Sequence, residues 1–190
     1  MKILQSFGAV SATALLAMTM STSASASVTF GNPLQFNGTG CPGRNAVTVV
    51  GANSATLSVL FGQYDAGNGK PSASGLGRSA CSFAVPINVP SGFQVSHVTV
   101  DWETYAEGSG SLGRKFFLAG RPWQPYKVTP LSGNKTVRDN LLHASLAGCR
   151  GGRYNMRINS QVKANRGSYV AVDSADLQNK LIFRFRFSRC

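Results

Sequence analysis

Carboxylates are scarce in this chain: seven Asp and Glu stand against nineteen Lys and Arg over 190 residues, a formal net charge of +12. A carboxylate-rich metal cage has little to be built from, and cationic partners are repelled. Histidine is scarcer still. His97 and His143 are the only two, which severely limits zinc sites and Ser-His triads. No HExxH, GxSxG or P-loop pattern occurs, so the common metalloprotease, serine-hydrolase and nucleotide signatures are missing. None of the four cysteines sits in a CxxC pair. That spacing argues against a zinc ribbon or a thiol redox motif, since both need thiols close in sequence. Neither a cofactor nor a metal is expected.

Long apolar runs are also lacking, apart from one at the N-terminus. Lys2, the apolar residues Ile3, Leu4, Phe7, Val10, Leu15, Leu16 and Met20, and the small-residue tail Ala24-Ser25-Ala26 have the layout of a secretory signal. A signal peptide over residues 1–26, cut after Ala26, is the expectation. The stretch is too short and too polar to span a bilayer, and no second one follows, so no transmembrane segment is expected. Residues 27–190 suit one secreted domain, extracellular or periplasmic, long enough to close a hydrophobic core.

All four cysteines, Cys41, Cys81, Cys149 and Cys190, fall in that exported part. An even number in an oxidising compartment reads as two disulfides. Three pairings are formally possible. The expected one joins Cys41 to Cys81 and Cys149 to Cys190, each bridge closing about forty residues and restricting the unfolded chain by about 4 kcal/mol at the upper end.

From Val28 onward, short β-branched and aromatic runs are broken by Gly, Pro, Asn and Ser clusters, which is strand punctuation. The pattern predicts strands over Ala46–Val50, Ala55–Tyr64, Cys81–Val89, Gln94–Tyr105, Arg114–Leu118, Arg153–Val162, Tyr169–Val172 and Leu181–Phe187. Ala66–Gly77 reads as an exposed loop, and Leu141–Ala147 as the one place for a helical turn. The fold class is therefore all-β.

The charge is uneven. Residues 27–113 hold three basic and four acidic residues, whereas residues 114–190 hold fifteen basic and three acidic. In the strand from Arg153 to Lys163, Tyr154, Met156, Ile158 and Val162 alternate with Arg153, Asn155, Arg157, Asn159, Gln161 and Lys163, so period two puts every cation on one face. Leu181–Phe187 sends Leu181, Phe183, Phe185 and Phe187 inward and Arg184 and Arg186 outward. A Cys149–Cys190 bond suggests that these two strands lie side by side, with Arg153 and Arg157 sharing a surface with Arg184 and Arg186. Like charges facing across strands are unfavourable, unless water or an anion takes them up.

Other motifs weigh less. Gly108, Gly110 and Gly113 spell GxGxxG, but a strand follows in place of a helix, so a glycine-rich hairpin is the better reading. Asp101 and Glu103 share one strand face about 7 Å apart, a spacing open to hydrolytic chemistry, although solvated acids are commoner. Asp173 and Asp176 are too few for calcium. Arg121-Pro122-Trp123-Gln124-Pro125-Tyr126-Lys127 reads as a loop able to stack Trp123 and Tyr126 on rings while Arg121 and Lys127 hold anions. Asn37-Gly38-Thr39 and Asn134-Lys135-Thr136 are glycosylation sequons, meaningful only in a eukaryotic secretory path.

Several segments carry a family resemblance: GTGCP (Gly38 to Pro42), LSVLFGQYDA (Leu57 to Ala66), CSFAVPINVPSGFQV (Cys81 to Val95) and the closing YVAVDSADLQ and LIFRFRFSRC. In order and cysteine placement they resemble the secreted four-cysteine proteins grouped as domain of unknown function family 4360. The resemblance implies a single antiparallel β-sandwich, jelly-roll-like, whose first two and last two family cysteines match Cys41, Cys81, Cys149 and Cys190. It brings no catalytic residues. The expected function is non-catalytic binding of an extracellular anionic polymer: acidic polysaccharide, an envelope polymer or nucleic acid. The residues expected to bind are Arg121, Lys127, Arg153, Arg157, Lys163, Arg184 and Arg186, with Trp123 and Tyr126. The alternatives are a hydrolase using Asp101, Glu103 or His97, and a structural or inhibitory protein.

Overall fold

The computed structural model describes residues 28–31, 34–43, 46–51, 56–118, 125–141, 149–172 and 181–190. The expected signal peptide, the 142–147 part of the expected helical turn, and Asp173 and Asp176 lie outside them. The described residues form eleven strands and no helix: β1 (Thr29–Phe30), β2 (Leu34–Asn37), β3 (Ala46–Val50), β4 (Thr56–Phe61), β5 (Asp65–Asn68), β6 (Arg78–Val89), β7 (Phe93–Leu118), β8 (Lys127–Leu141), β9 (Gly152–Ala164), β10 (Ser168–Ala171) and β11 (Leu181–Arg189). Every pairing is antiparallel.

One strand organises the rest. The first part of β7 pairs with β11, which pairs with β4, and β4 with β3. Its last part pairs with β9, which pairs with β6, and β6 is flanked by β1 and β2. β8 follows the opposite edge of β7, from Val98 opposite Leu141 to Arg114 opposite Lys127. The register slips between Ala106 and Gly110, and Gly108 there has φ +85°, a conformation open to glycine and costly to other residues. The β7–β8 hairpin thus bends from one sheet into the other, where the sequence suggested two separate strands.

The two sheets close face to face. Phe83 on β6 meets Phe183 on β11 edge to face with ring centroids 6.3 Å apart, and Phe36 on β2 stacks on Phe83 at 5.1 Å. Leu57, Val59, Val98, Val100 and Trp102 from one sheet, and Val85, Ile87, Met156, Ile158 and Val162 from the other, are buried between them. The protein is a β-sandwich, and its residues alternate between core and outer face as a pleated strand requires.

Both disulfides join the expected partners, Cys41 with Cys81 and Cys149 with Cys190. The strand adjacency suggested by the second bridge is corrected, however. β9 lies beside β6 and β7, and β11 beside β4 and β7. Cys149 and Cys190 meet instead at the β6–β7 turn, where the Gly92 N–H donates to the Cys149 carbonyl at 3.0 Å and the Cys190 N–H donates to the Gly92 carbonyl at 2.9 Å. That turn carries the chain from one sheet to the other, so the bridge ties the two sheets at their end.

The stretch expected as an exposed loop begins as strand β5 and is held down. Buried Asp65 accepts backbone N–H bonds from Ala73 at 2.7 Å and Ser74 at 2.9 Å, and the Tyr169 hydroxyl donates to it at 3.2 Å. Among the described residues no helix is long and apolar enough to cross a membrane.

Candidate functional site

The outer face of the β6–β9–β7 sheet is built by alternation. On β9 the even-numbered side chains enter the core, and Arg153, Asn155, Arg157, Asn159, Gln161 and Lys163 point out. Register then adds neighbours. Arg78 lies opposite Lys163, Ser82 opposite Asn159 and Ala84 opposite Arg157 on the β6 side. On the β7 side, Lys115 lies opposite Asn159 and Phe117 opposite Arg157. Arg78, Lys115, Arg153, Arg157 and Lys163 therefore share one surface, with the Lys115 ammonium 5.0 Å from the Phe117 ring centroid. Tyr126, about half exposed, also reaches this face. Its hydroxyl occupies the space that a side chain at Gly113 would need, since a Cβ there would come within 1.7 Å.

No carboxylate of the described residues joins them. Asp65 holds the loop beyond β5; Glu107 pairs with Lys70. Asp101 and Glu103 lie on the outer face of the other sheet, and Asp139 lies in the core. Two cations directly opposed, Arg78 and Lys163, repel one another.

At the β2 edge of the face a groove of about 640 Å³ is lined by Gln35, Asn37, Ser82, Arg157 and Asn159, among others. Its rim is irregular for a reason. β2 pairs with β6 through Leu34 opposite Ala84 and Asn37 opposite Ser82, so it carries one residue more than its partner. Gln35 takes up the excess at φ +59°, a left-handed conformation that costs a non-glycine residue about 1–2 kcal/mol.

The remaining expected site residues are placed elsewhere. Arg184 and Arg186 lie on the outer face of the opposite sheet, so the surface they were expected to share with Arg153 and Arg157 does not form. Back-to-back packing of the sheets separates them. Arg184 also pairs with Asp101. Lys127 turns toward buried Asp139 at 3.5 Å and is not part of the basic face. Arg121 and Trp123 lie outside the described residues.

The acids considered for hydrolysis have partners. Arg138 donates to Asp101 through Nε at 2.6 Å and Nη2 at 3.0 Å, and Arg184 approaches from the other side. The Arg138 hydrogen bonds, followed by that from Arg184, hold the Asp101 carboxyl below the usual carboxylate range. Such a group stays ionised at neutral pH and does not serve as a general acid. Glu103 accepts from the Thr136 hydroxyl at 2.8 Å, and His97 Nε2 lies 3.1 Å from Thr99 Oγ1. Among the described residues no three His, Cys, Asp or Glu side chains are grouped to hold a metal.

Arg78 and the groove residues of β2 and β6 had no signal in the linear order, whereas Lys115 stood out beside aromatics in Arg114-Lys115-Phe116-Phe117. The amides of β9 did, because they share the period of Arg153, Arg157 and Lys163.

Residues 32–190 match the family described as Domain of unknown function (DUF4360). An uncharacterized secreted protein of Arthroderma benhamiae is 26% identical over 170 residues, covering 82% of this chain and 69% of that protein. Among solved structures, TmCBM61 in complex with beta-1,4-galactotriose is similar with a TM-score of 0.41 and 14% identity, over 85% of this chain and 91% of that one. A CBM4 structure is similar with a TM-score of 0.26 and 10% identity, over 76% and 78%.

Proposed function

This chain belongs to the DUF4360 family, and we propose that it is a non-catalytic binding module of the cell exterior whose β6–β9–β7 face holds an anionic polymer. Acidic polysaccharide, an envelope polymer and extracellular nucleic acid share the required chemistry. Export with loss of residues 1–26 is part of the same reading, and two disulfides suit an oxidising compartment.

The observation that carries the reading is the face itself: five cations from three strands, with no carboxylate of the described residues among them. An unbalanced field of this kind concentrates anions near the surface. A polymer lying along β9 meets Arg153, Arg157 and Lys163 in turn and relieves the repulsion between Arg78 and Lys163. Counterions leave as it binds, so affinity falls steeply with salt, with a log–log slope of about −0.9 per phosphate neutralised on duplex DNA.

The test compares retention of the oxidised mature protein on immobilised polyanions across a salt series. The triple variant Arg153→Gln, Arg157→Gln, Lys163→Gln is expected to elute at much lower salt than wild type, with a shallower slope. The double variant Arg184→Gln, Arg186→Gln, on the opposite sheet, is expected to elute close to wild type. Salt-independent retention, or equal loss in both variants, would remove the β9 face as the site.

A further inference from the structure

The groove beside β2 has a chemistry that charge alone does not explain. Cross-strand registers set Asn37 opposite Ser82, Ser82 opposite Asn159 and Asn159 opposite Lys115. Amide, hydroxyl, amide and ammonium thus form one row across four strands, about 14 Å long at the usual strand spacing. The adjoining row places Ala84, Arg157 and Phe117 side by side. A single guanidinium accordingly stands beside three neutral groups that both donate and accept hydrogen bonds, with the Lys115 ammonium closing the row.

Backbone strain points to the same place. The extra residue in β2 puts Gln35 at φ +59° on the groove's rim, and bulges and left-handed non-glycine residues recur where a side chain has been re-aimed toward a ligand. Glycine would satisfy that conformation without strain. A glutamine there keeps a third amide at the groove.

Phosphate polymers match only part of this set. Their backbones offer acceptors alone, which the amide and hydroxyl donors can serve while the amide and hydroxyl acceptors are left without a donor. A sugar acid matches it: one planar carboxylate for a guanidinium fork, and neighbouring hydroxyls that donate to and accept from amides. The cavity of about 640 Å³ is within the usual range for small-ligand sites.

We infer that this groove binds a uronic-acid unit of an acidic polysaccharide, with Arg157 on the carboxylate and Gln35, Asn37, Ser82 and Asn159 on the ring hydroxyls. The inference rests on the polymer-binding reading above and narrows it to one class.

Titration calorimetry on protein made in bacteria, so that Asn37 carries no glycan, tests it with four probes at one ionic strength: oligogalacturonate, a dextran sulfate oligosaccharide that has no uronate, polyphosphate and a neutral galacto-oligosaccharide. Oligogalacturonate is expected to bind about tenfold tighter than polyphosphate of equal charge, and Asn159→Ala or Gln35→Gly to weaken it several-fold, as loss of a hydrogen bond does. Neither variant is expected to alter polyphosphate binding. Gln35→Gly should melt no lower than wild type, which separates lost recognition from lost folding, and Arg157→Lys should lose uronide affinity despite keeping its charge. Polyphosphate or dextran sulfate binding as tightly as oligogalacturonate, with the amide variants silent, would overturn the uronate assignment and leave the polymer face standing. Equal binding of the neutral oligosaccharide would overturn the role of Arg157. If none of the three polyanions bound, both readings would fail together.

Discussion

At the scale of single residues, the least expected feature is charge inside the core. Arg114 is 4% exposed and Asp139 1%. Arg114 donates to Asp139 through Nε at 2.6 Å and Nη2 at 3.0 Å, while Trp102 Nε1 donates to the same carboxylate at 3.1 Å. The remaining guanidinium nitrogen reaches the Thr129 hydroxyl at 2.7 Å and the Leu112 carbonyl at 3.2 Å. Desolvation of two ions offsets much of their attraction, but leaving one of them alone in the core is costly. Asp139→Ala is expected to lower the unfolding free energy in urea by about 3–5 kcal/mol, whereas replacing both residues with apolar ones, Arg114→Met with Asp139→Leu, recovers most of that loss. Equal destabilisation in the single and double variants would argue against an isolated buried charge as the cause. The sequence hid this pair because each residue, taken alone, reads as solvated.

At the scale of elements, the long β7 is clamped to both neighbours on its outer face. Asp101 joins Arg138 of β8 and Arg184 of β11 across β7. Its carboxyl titrates lower in the folded chain than in the unfolded one. The stabilisation is therefore fully present above the unfolded value of about 4 and disappears as pH falls through the lower native value. Asp101→Asn is expected to be less stable than wild type at neutral pH and to lose less on acidification below pH 4. Parallel stability curves for the two proteins over that interval would contradict the clamp. Period two had exposed the two faces of β9, whereas in β11 it broke at the register shift between Arg186 and Phe187, which leaves Phe187 exposed and not inward as expected. It failed for β8, where Pro130, Gly133 and Asn134 imitate a loop and core position 139 holds an acid. A strand paired on one side only, as β8 is with β7 among the described residues, tolerates such residues because fewer of its backbone groups must pair.

At the scale of the whole molecule, the last disulfide matters because of what it joins. Cys149 and Cys190 are 41 residues apart and fasten β9 of one sheet to β11 of the other at the β6–β7 turn. Removing the bridge with Cys149→Ser and Cys190→Ser is expected to cost up to about 4 kcal/mol of stability, measured by guanidinium denaturation. A loss confined to a few tenths of a kcal/mol would show that sheet packing alone holds that end. Local sequence by itself determined the all-β class and the one-sided arrangement of Arg153, Arg157 and Lys163, because side-chain alternation is a property of a single strand. Only the tertiary structure decided which strands became neighbours. It placed Arg184 and Arg186 on the far side, drew Lys127 toward Asp139, and set Gln35, Asn37 and Ser82 beside Arg157, because pairing and sheet packing depend on contacts between distant segments that no local pattern encodes.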